Sequence, residues 1–270
     1  MPDFQTYIAQ FSDKTIAVAV YDLETGKEIL IHAEESFHPA STIKVHVMME
    51  VFRQAEVGLL SLDDQLPLIN SFTSIADGSQ FAVDAKDDSE VKLYQRLGEN
   101  ESIRELTRLM IVRSSNLATD ILLKKVGAKN VNNFIKELRI EGVIVQRGVE
   151  DNVAFRLGMN NSATARGLTQ TMRLIAEGRV ISEQASEKMI EIMLQQEFNE
   201  SIPALLPESV KVAHKTGWTG EFYHDTGIVF PDGRKPYAIS LMTRGFAEDN
   251  ENAAHECMAT VSKMIYDQLQ

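Results

Sequence analysis

The sequence predicts an α+β fold, in which one α/β lobe is assembled from both ends of the chain and a mostly helical lobe is inserted between them. Three observations carry that prediction. Strand-like runs lie at opposite ends of the 270 residues, helical spacing of apolar residues dominates the middle, and no internal repeat or low-complexity linker interrupts the chain. The boundaries this implies are 1–36 and 205–270 for the discontinuous lobe and 37–204 for the inserted one.

The elements follow in order. "MPDFQTYIAQF" mixes polar and apolar residues and reads as a short amphipathic helix. "KTIAVAVYDL" and "KEILIHA" are strand-like, and the turn around "ETGK", with Gly26, joins them as a hairpin. In "FHPASTIKVHVMMEVF" every residue after Lys44 except His46 and Glu50 is apolar. Its apolar positions spread round most of a helix, so this helix belongs inside the protein. Residues 69–90, "INSFTSIADGSQFAVDAKDDSE", are irregular and acidic and predict a surface excursion with no assigned role.

Five segments then show apolar residues at i, i+3, i+4: "SIRELTRLMIVR", "NLATDILLKKVG", "KNVNNFIKEL", "SATARGLTQTMRLIAEG" and "SEQASEKMIEIMLQQ". Gly127 and Gly178 are placed to end two of these helices. "SVKVAHKTG", "HDTGIVF" and "KPYAISLMT" are β-rich, with "PDGRK" a tight turn between the last two. "ENAAHECMATVSKMIYDQL" closes the chain with helical spacing.

Composition excludes some functions. With 44% hydrophobic residues the chain can bury a sizeable core, and a net charge of −12 opposes phosphate backbones and so argues against nucleic-acid partners. Cys257 is the only cysteine, which forbids an intrachain disulfide, and it reads as a small core residue. No apolar run approaches membrane-spanning length, so no membrane span is expected. No basic and apolar leader precedes the fold; the chain reads as cytoplasmic if complete, and as secreted or periplasmic if a leader was removed.

Chemistry enters at "STIK". Residues three apart on a helix share a face, which brings the Ser41 hydroxyl and the Lys44 amine within reach of each other. Burial disfavours the ammonium and lets the amine accept a proton, while the helix N-terminus aims free N–H groups at an oxygen near Ser41. One turn thus supplies a nucleophile, a base and half an oxyanion hole. The competing account is ordinary: Ser41 or Thr42 caps the helix and Lys44 reaches out to water.

Two further segments join this one. "VRSSNLATDILL" places Ser114 and Asn116 at a helix start, and "VAHKTGWTG" places Lys215, Thr216 and Gly217 at a strand end. The order S-x-x-K, S-S-N, K-T-G resembles the serine β-lactamase and penicillin-binding-protein superfamily, and within it the class A β-lactamases. The resemblance covers nearly the whole chain. It implies a β-lactamase/transpeptidase-like fold, an antiparallel sheet flanked by terminal helices beside the helical lobe.

It also implies roles. Ser41 is acylated, Lys44 is the base or proton relay, and Ser114 passes a proton to the leaving nitrogen with Lys215 holding it. Asn116 donates to a substrate amide oxygen, Lys215 and Thr216 draw the substrate carboxylate, and the Trp218 N–H completes the oxyanion hole opposite Ser41. Gly217 lets substrate approach an edge strand. In "VQRGVEDNVAFRLGMNN" Glu150 is the deacylation base, with Asp151 the alternative. Arg147 pairs with Asn161 where the family has an Arg–Asp ion pair.

The sequence departs from the pattern at Ser115, usually Asp, at Thr226, where many class A enzymes carry Arg, at Ala154, usually Asn, and at Trp218 and Thr219, usually small. His214 and His224 bracket the site without metal-ligand spacing, and no metal or cofactor is called for. The expected partner is a small β-lactam or peptidoglycan-like substrate. Three activities stay open: β-lactam hydrolysis, a D-Ala-D-Ala-type peptidase, amidase or esterase, and a β-lactam- or muropeptide-binding protein that does not turn over.

Overall fold

The computed structural model describes residues 3–246 and 251–270. Helix α1 (Phe4–Ile8), capped by Asp3, precedes the hairpin of β1 (Thr15–Asp22) and β2 (Glu28–Ile31). A 3₁₀ turn (Ala40–Ile43) runs directly into α2 (Lys44–Glu56). Next come β3 (Gln65–Pro67), β4 (Phe72–Thr73), β5 (Gln80–Phe81), α3 (Val91–Tyr94) and β6 (Asn100–Ser102). The helical middle holds α4 (Ile103–Val112), α5 (Asn116–Val126), α6 (Ala128–Glu137), β7 (Val143–Ile144), α7 (Asn152–Arg156), β8 (Ser162–Ala163), α8 (Ala165–Ala176) and α9 (Glu183–Met193). The chain ends in β9 (Lys211–Thr219), β10 (Phe222–Phe230), β11 (Tyr237–Arg244) and α10 (Glu251–Leu269).

Helix starts follow the hydroxyls. Ser102, Ser115, Thr164 and Ser182 each accept a backbone N–H in the first turn of α4, α5, α8 and α9. Gly127 stops α5 and Gly178 follows α8, both at positive φ as the sequence predicts.

Among the described residues, five of the eleven strands form one antiparallel sheet in the order β2-β1-β11-β10-β9. Strand β1 pairs along its length with β11, from Thr15↔Arg244 to Asp22↔Tyr237, so the two ends of the chain meet at the sheet centre. Ile16, Val18 and Val20 of β1 pack with Ile239, Leu241, Phe4 and the α10 residues Val261 and Ile265. Ala17 and Ala19 face the other way, with Leu168 and Met172 of α8. Small side chains on that face let α8 lie close to the strands. Both faces are covered, which explains why β1 reads as nearly continuous apolar sequence rather than strict alternation. Cys257 is buried in the α10 layer, where burial pushes its thiol up to about 12.

Helix α2 is interior, as its residue spacing predicts: Lys44 through Phe52 are all buried. Its polar residues are held. Glu50 accepts from Arg53 Nε and Nη2 and from Gln54 Nε2, each at 2.7 Å, and His46 Nε2 lies 2.9 Å from Thr171 Oγ1.

Burial pushes His46, and His224 in β10, down to about 4. A depressed folded value means that the unfolded chain binds more protons, so the stability these groups confer is fully present above 6.5 and is lost as pH falls toward 4. The histidine contribution to stability is therefore expected, by chemical denaturation, to be constant above pH 6.5 and to decline below it. The contribution of each histidine is on the order of 3 kcal/mol by linkage. A His46→Gln variant should show the shallower decline; an equal slope would count against His46.

Candidate active site

The turn that carries Ser41 is built by local bonds. Thr42 donates through Oγ1 (2.6 Å) and through N–H (3.2 Å) to Pro39 O, and Ala40 adopts φ +46°. Neither the 3₁₀ turn nor α2 has a side-chain cap, so neither Ser41 nor Thr42 is an N-cap. The 3₁₀ geometry stacks positions i and i+3, and at the end of the turn the Lys44 N–H donates to Ser41 O. Lys44 does not reach for water. It is fully buried, and its Nζ donates to Ser114 O (2.6 Å), Asn116 Oδ1 (2.8 Å) and Ser114 Oγ (3.3 Å). Burial pushes the amine down to about 8, against the upward pull of Asp88, Asp120 and Glu150.

Lys215 comes from the far end of the chain to the same hydroxyl. It is fully buried in β9, and its Nζ donates to Ser114 Oγ (3.1 Å) and Thr216 O (2.8 Å). Burial and the charge of Lys44 hold it well below the usual lysine range. Two amines that both donate to Ser114 Oγ leave the hydroxyl proton free to point elsewhere. Ser114 itself sits at φ +55°, a left-handed conformation that costs about 1–3 kcal/mol outside glycine. Its neighbour Ser115, not Ser114, caps α5.

Strand β9 is the sheet edge beside the 3₁₀ turn. A Cβ on Gly217 would lie 2.8 Å from Ser41 N and 2.9 Å from Thr42 N. Glycine is required here by the approach of the Ser41 turn itself, a closer constraint than substrate access alone. Trp218, 57% exposed, follows it and lies near Tyr223 at 6.4 Å between ring centroids. Thr226 is buried and shares a hydrogen bond with Ser240 Oγ (2.7 Å). His214 and His224 are engaged as well. His214 Nδ1 pairs with Asp225 (2.9 Å), while His224 Nε2 donates to His38 O (2.8 Å) and its Nδ1 accepts from Thr243 N (3.2 Å).

Glu150 stands at φ +63° in the loop before α7. Its Oε2 accepts from Asp84 N (2.8 Å), and its buried Oε1 has no partner of hydrogen-bonding geometry among the described residues. Burial raises its pKa, with Asp87 and Asp84 adding to the rise and the Asp84 N–H and Asn116 amide opposing it. Asp151 is differently used: it caps α7 through Ala154 N (3.1 Å) and accepts Ser74 Oγ (2.7 Å) and Ile75 N (3.0 Å).

Arg147 and Asn161 do pair, though through the arginine backbone rather than its guanidinium: Asn161 Nδ2 donates to Arg147 O (3.1 Å). Asn161 Oδ1 accepts the backbone N–H groups of Gln146 (2.7 Å) and Arg147 (3.0 Å). The Arg147 guanidinium instead meets Asn160 Oδ1 (3.2 Å), Gly148 O (3.0 Å) and His38 Nε2 (3.2 Å). A short neutral amide is satisfied by nearby backbone, and the arginine then takes the acceptors within its reach.

The family model described as the beta-lactamase enzyme family matches residues 1–269. The chain belongs to the beta-lactamase enzyme family. Membership makes it a hydrolase of the β-lactamase type, in agreement with the superfamily expected from the motifs. Relatives include a beta-lactamase of Bacteroides uniformis, 25% identical over 272 residues, spanning 95% of this chain and 86% of that one. The extended-spectrum beta-lactamase PER-1 of Pseudomonas aeruginosa is 24% identical over 246 residues, 87% of this chain and 77% of its own. Among solved structures, PBP-A superposes with a TM-score of 0.82 at 22% identity, over 98% of this chain and 94% of that chain. A beta-lactamase of Chitinophaga pinensis DSM 2588 gives 0.84 at 22% identity, over 98% and 97%. These superpositions agree with the expected β-lactamase/transpeptidase-like fold.

Within this family frame the structure brings Lys44, Ser114, Asn116 and Lys215 into one hydrogen-bonded cluster and seats Gly217 on Ser41 N. Two acids went unremarked in the sequence. Asp120, fully buried, accepts Val149 N at 2.7 Å, and burial pushes its carboxyl up to about 8. A Cβ on Gly148 would stand 2.8 Å from it, so the loop ahead of Glu150 rests on this side chain. The signal was present, since Asn116 and Asp120 are four apart and share a face of α5. The other is Asp88, in the stretch 69–90 that had no role. That stretch touches the site repeatedly, through Asp84 N on Glu150, Ser74 on Asp151, and Asp87 O, which accepts Asn116 Nδ2 at 3.1 Å.

Proposed function

We propose that this protein opens β-lactam amides through an acyl-enzyme on Ser41 and releases the acid with water activated by Glu150. One observation carries the reading: the Ser114 hydroxyl is held between two buried amines, Lys44 and Lys215, whose pKa values are both lowered.

The Ser41 hydroxyl attacks the lactam carbonyl and its proton passes to neutral Lys44. The developing oxyanion is met by the Ser41 and Trp218 N–H groups. The C–N bond breaks as Ser114 gives its proton to the nitrogen, and Lys44 re-protonates Ser114. Asn116 binds the substrate side-chain amide, and Lys215 with Thr216 draws the carboxylate. Water then attacks the ester carbonyl as its proton goes to Glu150; the C–O bond to Ser41 breaks, and that proton passes from Glu150 to Ser41 Oγ, which restores the free hydroxyl and the carboxylate. The buried, open Oε1 of Glu150 and its raised pKa suit a base.

A chromogenic β-lactam with intact-mass readout tests this. Expected are a stoichiometric burst followed by steady turnover, both lost in Ser41→Ala, with a transient adduct of substrate mass on the wild-type chain. A persistent adduct with no steady phase would support a binding protein. Neither phase, with hydrolysis of short-chain esters or D-amino-acid peptides, would support a peptidase, amidase or esterase on the same Ser41.

A further inference from the structure

Asp88 is a buried carboxylate that the steps above do not use. Its Oδ2 accepts from Leu117 N (2.8 Å), Tyr94 Oη (2.8 Å) and Ser115 Oγ (3.2 Å), and its Oδ1 accepts from Glu90 N (2.9 Å). Four donors converge on one side chain, so the place calls for a group that only accepts; an amide would turn its NH₂ toward one of them. Ser115 and Leu117 flank Asn116, whose Oδ1 takes Lys44 Nζ, and Ser115 follows Ser114, whose backbone is held at positive φ. The family motif carries a carboxylate in the middle of S-D-N, whereas this chain has a hydroxyl there.

We infer that Asp88 is a positioning residue for the reaction: with Ser115 it forms a carboxylate–hydroxyl pair that holds Ser114 and Asn116 against Lys44. The carboxylate that the motif would carry at the start of α5 is here supplied to Ser115 from the 69–90 stretch. The stretch is therefore part of the active-site frame rather than a decoration of the surface. This inference rests on the proposed acylation of Ser41.

The electrostatics point the same way. Lys44 faces Asp88, Asp120 on α5, Glu150 on the loop before α7, and Lys215 on β9. Loss of the Asp88 charge favours the neutral amine at lower pH. A residue that merely stabilised the fold would leave that pH dependence alone.

The test is a double-mutant cycle on the burst rate constant: wild type, Asp88→Ser, Ser115→Asp and both together. Asp88→Ser removes the acceptor, and Ser115→Asp sets two carboxylates face to face. Each single change is expected to slow acylation roughly tenfold or more, and the double variant to return to within about threefold of wild type. The acid limb of the Asp88→Ser pH profile should move to lower pH and return in the double variant. If Asp88→Ser does not fold, Ser115→Asp against the double variant decides, because the double must be the faster. Single effects that multiply in the double variant, beside a normal wild-type burst, overturn this inference alone. A wild-type chain with no burst overturns the acyl-enzyme reading and this inference with it.

Discussion

Lys44→Met is expected to slow acylation about 10³-fold, the range for loss of a positioned base, while raising the melting temperature. Methionine keeps the length and apolar stem of lysine but has no amine to take the Ser41 proton. The stability gain follows from the sign of the shift. Lys44 falls from 10.5 to about 8 on folding, so the unfolded chain binds the proton more tightly. Wild-type folding therefore carries a cost on the order of 3 kcal/mol at pH 7, fully present below about 8 and gone above 10.5. The advantage of the methionine variant should close over that same window. Burst kinetics and thermal denaturation at pH 7 and pH 10.5 check both halves. An unchanged burst, or a variant less stable than wild type at every pH, would remove Lys44 from the role of desolvated base.

Glu150→Gln is expected to keep the burst and to lose steady turnover by about 10²- to 10⁴-fold, with an adduct that persists by intact mass. Glutamine preserves the size of the side chain and can still accept from Asp84 N, so the loop retains its contact. In wild type the deacylation rate should rise with pH through a midpoint above the usual carboxylate range, because burial raises the Glu150 pKa. Asp151→Asn serves as the contrast. Asp151 caps α7 and accepts from Ser74 and Ile75, so its replacement should lower stability without a persistent adduct. Should Asp151→Asn trap the adduct and Glu150→Gln turn over normally, the two residues would have to trade roles.

Much of the fold was legible in the residues. Apolar spacing marked α2, α4, α5, α6, α8 and α9, and the strand runs at the two ends became one sheet through the β1–β11 ladder. Short elements escaped: β3 to β8, α3 and α7 have five residues or fewer, too few for a period to show. The S-x-x-K, S-S-N and K-T-G segments named the cluster that Lys44, Ser114, Asn116 and Lys215 form. What they left out were its supports. Nothing local to Asp88 distinguishes it from Asp84 or Asp87, because its burial depends on Tyr94, Ser115 and Leu117 arriving from later in the chain. The Arg147–Asn161 pair takes its backbone form for a related reason, since His38 and Asn160 compete for the guanidinium only once the loop is folded.

By itself, the sequence determined which side chains bring hydroxyls, amines and carboxylates, and which helices and strands would present them. Those properties live in residue type and short-range periodicity. Only the tertiary structure decided that two lysines are stripped of water around a single hydroxyl, that Glu150 keeps one oxygen open, and that an acidic stretch braces the middle motif. Desolvation and converging hydrogen bonds are set by distances across space, and segments 70 and 101 residues apart have no distance until the chain is folded.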